Sequence, residues 1–117
     1  MGNVLHKNTL QGTIGELLVQ MRLLEYGVQA APPIKDSGND LIAIRGETVK
    51  FIQVKTERRL RRLPKIYHLI AMVDLRKNSD GMILYDKSKI WILGKGDPIS
   101  SRRELTKSLV EEIWGAD

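Results

Sequence analysis

Four polar side chains in the first half of the chain could together support phosphodiester chemistry. Glu16 lies in a segment with helical spacing, Asp40 opens a strand-like segment, and Gln53 and Lys55 end the next one. Hydrolysis of a phosphodiester needs oxygen ligands for a divalent cation, which polarises the phosphoryl oxygen and helps to generate hydroxide, and a positive charge that offsets the developing negative charge. Glu16, Asp40 and Gln53 can supply the oxygens, and Lys55 can supply the charge.

A predicted β-hairpin brings three of these residues together. Two strand-like segments flank Gly46-Glu47, and a Gly-X pair suits a type II′ turn. With this pair as the loop, Arg45 faces Thr48, and counting outward places Asp40 opposite Gln53. Side chains alternate along a strand, so one face is shared by Asp40, Ile42, Ile44, Val49, Phe51, Gln53 and Lys55.

The remaining pattern predicts an α/β domain with one mixed sheet. Apolar residues at helical spacing, Leu10, Ile14, Leu17, Leu18, Met21 and Leu24, predict a first helix from about Thr9 to Tyr26. A capping-box pattern at Ser101 and Glu104 precedes a last amphipathic helix that ends near Gly115. The predicted strands are residues 28–31, 40–45, 48–55, 68–74, 81–85 and 90–93. A chain of 117 residues is the size of one domain, so residues 1–117 are expected to form a single unit.

The hairpin and the first helix resemble the active-site region of the PD-(D/E)XK nuclease superfamily, which includes restriction-type endonucleases, Holliday-junction resolvases and some homing endonucleases. The resemblance implies a restriction-endonuclease-like αβββ(α)β core, a mixed central sheet flanked by helices. It also implies that Asp40, Gln53 and the backbone carbonyl of Val54 bind Mg²⁺, or Mn²⁺ as a substitute, and that Glu16 completes the metal shell. Lys55 would orient or activate the attacking water and stabilise the transition state.

The sequence departs from the superfamily pattern in three places, and two residues have simpler interpretations. Gln53 stands where the motif has an acidic residue, and Asn39 stands where it has proline. Residues 56–66 form a short, basic connection interrupted by Pro64 where a full crossover helix is usual, so the fourth strand could pair differently. Asp40 could simply end a turn, and Glu16 could be a helix-capping residue.

The basic character of the chain is concentrated beside the predicted site. The net charge is +5, and residues 55–65 hold six of the 19 Lys and Arg residues but one of the 14 Asp and Glu residues. The rest of the chain therefore holds thirteen of each sign. Arginine is well suited to phosphate contacts, and the predicted nucleic-acid-binding residues are Arg58, Arg59, Arg61, Arg62 and Lys65. Trp91 and Trp114 are predicted to be core or interface anchors rather than base-stacking platforms.

The leading hypothesis is a hydrolase, a Mg²⁺-dependent DNA endonuclease with structure-selective or relaxed specificity, acting as a homodimer or another homo-oligomer. The alternative is a nuclease fold that binds nucleic acid with little or no catalysis, and a third hypothesis is a purely structural or protein-interaction domain. The sequence leaves DNA and RNA both open as partners.

The chain has no cysteine, which excludes disulfides and thiolate metal sites. It has no signal-peptide core and no apolar run of membrane-spanning length, so a soluble, cytoplasmic protein without a membrane partner is expected.

Overall fold

A long N-terminal helix and a short edge strand form the first corner of the fold. The computed structural model describes residues 7–34, 40–56 and 63–116. Helix α1 spans Lys7–Glu25 and strand β1 spans Gln29–Ala31. Gly27 has a positive φ of 86°, and the amide of Val28 donates to the carbonyl of Leu23 at 2.9 Å. This hydrogen bond closes the helix end, so the strand begins one residue later than the apolar pattern predicts.

Helix α1 buries only part of the stripe that its spacing predicts. Leu18, Val19 and Leu23 are fully buried against the sheet. Four residues of the predicted stripe are exposed instead: Leu10, Leu17, Met21 and Leu24. The helix therefore has two apolar stripes, and only one of them packs on the described part of the chain.

The predicted hairpin is confirmed. Strand β2 spans Leu41–Arg45 and β3 spans Thr48–Lys55, with Arg45 paired to Thr48 in antiparallel register. Gly46 has a φ of 59°, the left-handed backbone that glycine adopts at no steric cost. The last β2–β3 pair joins Leu41 to Ile52, and the amide of the preceding Asp40 donates to the carbonyl of Ile52 rather than to that of Gln53, its predicted partner.

The second half of the chain completes a mixed sheet and covers it with a second helix. The elements are β4 at Leu69–Asp74, β5 at Lys89–Gly94, a 3₁₀ turn at Ile99–Ser101, β6 at Arg103–Glu104 and α2 at Lys107–Trp114. The six strands lie in the order β1-β2-β3-β4-β5-β6. The β3–β4 pair is parallel and the other four pairs are antiparallel. The short basic connection therefore does serve as a parallel crossover, and the prediction of one mixed α/β sheet is confirmed.

Two predicted elements are wrong. Residues 81–85 form no strand, because the chain turns at Gly81 and only an isolated bridge joins Lys77 to Ile83. The capping box at residues 101–104 does not start the last helix. That helix is capped by Thr106, whose Oγ1 accepts a hydrogen bond from the amide of Leu109 at 3.1 Å. The chain after Ser101 instead forms the two-residue β6, which pairs with β5.

Apolar side chains pack on both faces of the sheet, in two clusters of different size. The larger cluster joins α1 and α2 to the inward-facing residues of β2 to β5. Trp114 belongs to it and donates a hydrogen bond from Nε1 to the carbonyl of Ala43 at 3.3 Å, as expected of a core anchor. The smaller cluster lies on the opposite face and consists of Tyr67, Ile70, Met72 and Leu93, with Leu63 and Trp91 against it. Among the described residues, no helix is long and apolar enough to cross a membrane.

Candidate active site

Gly15 allows α1 to approach the end of β3 closely. A Cβ atom at this position would lie 2.6 Å from Cγ2 of Thr56, and 3.7 and 3.8 Å from side-chain atoms of Val54 and Val73. Any larger residue would have to displace Thr56, whose branched side chain is stiff. The missing side chain thus sets the distance between helix and sheet and holds the next residue, Glu16, beside the end of β3.

The side chain of Asp40 supplies a hydrogen-bond acceptor to β3 at the open end of the hairpin. Strand β3 runs past the first residue of β2, so the amide of Val54 needs an acceptor from outside the β2 ladder. Oδ2 of Asp40 accepts that hydrogen bond at 2.8 Å, and the amide of Asp40 donates to the carbonyl of Ile52 at 3.2 Å. The carboxylate is therefore held at a fixed position against β3, with oxygen lone pairs left for a further partner.

Glu16 and Asp40 form a carboxyl pair. Partial burial raises the pKa of Glu16, and both the nearby charge of Asp40 and a hydrogen bond between the two carboxyl groups raise it further. Two ionised carboxylates in contact repel each other, and a bound cation relieves such repulsion. The structure thus joins three elements at one point, with Glu16 from α1, Asp40 before β2 and Val54 from β3.

Gln53 and Lys55 lie on the other face of β3 from the side chain of Val54. Gln53 is 3% exposed and pairs with Ile70 of β4, whereas Lys55 is half-buried and pairs with Met72. The predicted hairpin register places both on one face with Asp40. In the structure, Glu16, Asp40 and the backbone of Val54 are brought together at the end of β3, whereas the side chains of Gln53 and Lys55 lie on the other face of that strand.

The oxygen donors near the end of β3 are of the types that bind a hard divalent cation. Two carboxylates, the Gln53 amide and a backbone carbonyl are the ligand types that Mg²⁺ and Mn²⁺ accept. Among the described residues, however, no group of three or more His, Cys, Asp and Glu side chains could hold a metal ion. A metal at this position would depend on the neutral oxygens of Gln53 and Val54 beside only two carboxylates.

Only one of the five predicted nucleic-acid-binding residues lies in the part of the chain that the structure describes. Arg58, Arg59, Arg61 and Arg62 lie outside the described residues. Lys65 is exposed, and its backbone carbonyl accepts a hydrogen bond from Nζ of Lys95.

A basic cleft next to Lys55 was not predicted from the sequence. It has a volume of about 250 Å³ and lies along the C-terminal ends of β3 and β4 and the start of β5. Trp91, predicted as a core or interface anchor, is only half-buried in its wall. The signal in the sequence is the alternation of Lys89 and Trp91 with the buried Ile90 and Ile92, which places the first two on the same face as Lys55 once the β3–β4–β5 register is known.

Comparison with known proteins supports a nuclease-like fold. No protein-family model matches the sequence, and no curated protein matches it. The six-stranded mixed sheet with its two helices is an α/β fold that is also found in a nuclease of known structure. That protein is the bacterial homing endonuclease I-Ssp6803I, which is 17% identical in sequence. The match covers 86% of this chain and 79% of the other, with a TM-score of 0.51.

Proposed function

We propose that this protein is a metal-dependent endonuclease that hydrolyses phosphodiester bonds in DNA. The observation that supports this proposal best is the contact between Glu16 and Asp40 at the end of β3, the strand whose last residue is Lys55. The similarity of the fold to a bacterial homing endonuclease adds to it, because that protein is a DNA-cutting enzyme by name.

The proposed roles follow from where each side chain is held. Asp40, Glu16, Gln53 and the carbonyl of Val54 would bind Mg²⁺, or Mn²⁺ in its place. When bound, the cation polarises the scissile phosphate and lowers the pKa of water. Asp40 is kept in position by the amide of Val54, and Gln53 by its burial within the sheet. Lys55 places a positive charge at the edge of the cleft, where it offsets the charge that develops on the phosphate.

A second function is favoured by the small number of acidic ligands. The neutral Gln53 stands where a third negative charge would strengthen the metal site, and the described residues offer only the two carboxylates there. A nuclease fold that binds nucleic acid and cuts it slowly or not at all is therefore the alternative. Calorimetry with Mn²⁺ distinguishes the two, because this alternative predicts no metal binding and a DNA affinity that EDTA does not lower.

The test of the proposed function is a cleavage assay with supercoiled plasmid, single-stranded DNA and four-way-junction DNA in Mg²⁺ or Mn²⁺. We expect Asp40→Asn to lower the rate about 100-fold or more, because it removes a charged metal ligand. The Asn side chain still offers an oxygen to the amide of Val54, so the hairpin end should stay folded. We expect Lys55→Met to lower the rate by about 100- to 1,000-fold, the usual loss when one group that stabilises a transition state is removed.

Matched controls separate the site from general effects of charge. Asp86→Asn removes an exposed carboxylate from a loop, and Lys50→Met removes a lysine from the opposite face of β3, five residues from Lys55. Both controls should cut as the wild type does. If Asp40→Asn and Lys55→Met also keep the wild-type rate, the assignment of the site is wrong.

The proposal includes self-association into a homo-oligomer. The exposed stripe of α1 and the adjoining faces of β1 and β2 line an apolar groove of about 780 Å³. An apolar surface of this kind is typical of an interface, and a second copy of the chain is the proposed occupant. Light scattering over a range of protein concentrations would show whether the chain exceeds the mass of a monomer.

A further inference from the structure

The cleft beside Lys55 is built from three neighbouring strands and the segment that follows them. In the sheet register, Lys55 pairs with Met72 and Met72 pairs with Trp91, so Lys55 and Trp91 lie two strands apart on one face. Neighbouring strands are about 4.8 Å apart, which puts the two backbones about 10 Å from each other. Arg102, just after the 3₁₀ turn, completes the far wall.

Trp91 holds two cations over its ring. The guanidinium carbon of Arg102 lies 5.2 Å from the ring centroid, and Nζ of Lys89 lies 5.9 Å from it. One N–H of Arg102 also donates to the carbonyl of Ile99 at 3.2 Å. Arginine has five N–H donors, so the guanidinium is fixed by the ring and this carbonyl while further donors are left for a ligand.

The residues that line the cleft carry a net positive formal charge. Four basic residues and one acidic residue line it, and the acidic residue, Asp74, is paired with Arg76 at 3.1 Å. Lys89 lies 4.0 Å from Glu104 in a pair whose side chains are both about half exposed. Such a pair contributes little, and a lining of four basic residues and one acidic residue favours an anion.

We propose that this cleft binds the phosphodiester backbone of a polynucleotide, with Arg102 and Lys89 contacting phosphates of the strand that lies at Lys55. The inference rests on the proposed function, because it places the scissile phosphate at Lys55. The distance of about 10 Å between the backbones of Lys55 and Trp91 corresponds to a few phosphates along one strand of the nucleic acid. Trp91 acts as a positioning residue for the two cations, since its ring face is occupied by them.

Among the described residues, this surface shares Lys55 and Thr56 with the basic stretch at residues 55–65. Its other basic residues are Arg76 after β4, Lys89 of β5 and Arg102 before β6. Lys89 and Arg102 reach the cleft, whereas Arg103 pairs with Glu112 of α2 on the opposite face. The neighbours Arg102 and Arg103 thus offer a matched pair for an experiment.

The experiment measures binding of a fluorescein-labelled DNA duplex by anisotropy, in EDTA and over a series of salt concentrations. At about 0.1 M salt, loss of one phosphate contact should weaken binding about five- to tenfold and reduce the slope of log K against log salt by about one. We expect this for Arg102→Gln and for Lys89→Gln. Arg103→Gln should bind as the wild type does, with an unchanged slope. Equal affinities for Arg102→Gln and Arg103→Gln would overturn the inference.

Two further arms identify the ligand and separate this inference from the nuclease proposal. Inorganic phosphate at constant ionic strength should leave the difference between wild type and Arg102→Gln intact. If it abolishes that difference, the cleft binds a small anion and not a polynucleotide backbone. Cleavage by the same variants is measured in Mg²⁺. Weak DNA binding by Arg102→Gln, together with wild-type cleavage by Asp40→Asn, would support the cleft and contradict the nuclease site. Wild-type DNA binding by Arg102→Gln, together with lost cleavage by Asp40→Asn, would support the nuclease site and contradict the cleft.

Discussion

The two faces of the sheet differ in what their side chains do. The face covered by α1 and α2 is apolar along four strands, from Leu41 to Ile92, and carries the larger core cluster. The other face has a smaller cluster and ends in a basic cleft that Lys55 and Trp91 line. Because strand side chains alternate, one strand serves both purposes. The folding free energy should therefore depend mainly on one face and DNA binding on the other.

The largest expected effect is on stability and comes from the covered face. Ile90 is 1% exposed in the larger cluster. Replacing it with alanine removes buried methyl groups and leaves a cavity, so Ile90→Ala should lower the free energy of unfolding by about 2–5 kcal/mol in urea denaturation. Ile66→Ala is the matched control, because Ile66 is 68% exposed, and it should change stability by less than about 0.5 kcal/mol.

The next residue of the same strand sharpens the comparison. Trp91 points to the open face and is half-buried. Trp91→Leu should cost less stability than Ile90→Ala and should weaken DNA binding, because Lys89 and Arg102 lose the ring that holds them. The salt dependence should remain, since both charges are still present. If Ile90→Ala, measured where it is fully folded, impairs DNA binding as much as Trp91→Leu does, the two faces do not have separate roles.

A smaller effect is expected where the helix meets the sheet. Gly15→Ala places a methyl group against Thr56, so we expect a loss of about 1–3 kcal/mol in the free energy of unfolding and slower DNA cleavage, because Glu16 is displaced. The double variant Gly15→Ala/Thr56→Ser removes the methyl group that clashes and should recover most of both losses.

Gly12 is the control in the same helix. A Cβ atom there would meet nothing within 4 Å, so Gly12→Ala should raise the free energy of unfolding by about 0.5–1 kcal/mol through helix propensity alone. If both alanine variants are stabilised, Gly15 has no role in setting the distance between α1 and β3.

The hairpin was predictable from sequence because its constraint is local. A two-residue loop at Gly46-Glu47 fixes the register, and the register fixes which residues share a face with Asp40. The position of Glu16 next to Asp40 is a tertiary result. It depends on which apolar residues of α1 pack on the sheet. Of the predicted stripe, Leu18 is buried but four of the six residues are exposed.

The basic cleft could not be predicted for a different reason. Lys89 and Arg102 are separated by twelve residues that contain no recognisable binding motif, and Arg102 lies in a segment predicted to cap a helix. The basic residues that line the cleft come from separate segments of the chain, so no single run of basic residues marks it. The register of β4 and β5 and the extra strand β6 were needed to bring the cations to Trp91.

The smallest effect is a change in how stability depends on pH, and it tests the carboxyl pair without any cleavage assay. Burial and Asp40 raise the pKa of Glu16, so the folded protein binds this proton more tightly than the unfolded chain. In EDTA, the contribution of Glu16 to stability is therefore full below the ordinary glutamate pKa of about 4.3 and is lost as the pH rises through the raised value. Glu16→Gln cannot ionise and loses nothing.

The advantage of Glu16→Gln over wild type in urea denaturation should grow between pH 4 and pH 7. The exposed turn residue Glu47 is the control, and the difference between Glu47→Gln and wild type should stay constant over the same range. Adding Mn²⁺ at pH 7 should stabilise wild type more than Glu16→Gln, because a ligand that binds only the folded state adds to its stability. If Glu16→Gln is less stable than wild type at pH 7 in EDTA, the two carboxyl groups do not repel each other and the site lacks the feature that favours a cation.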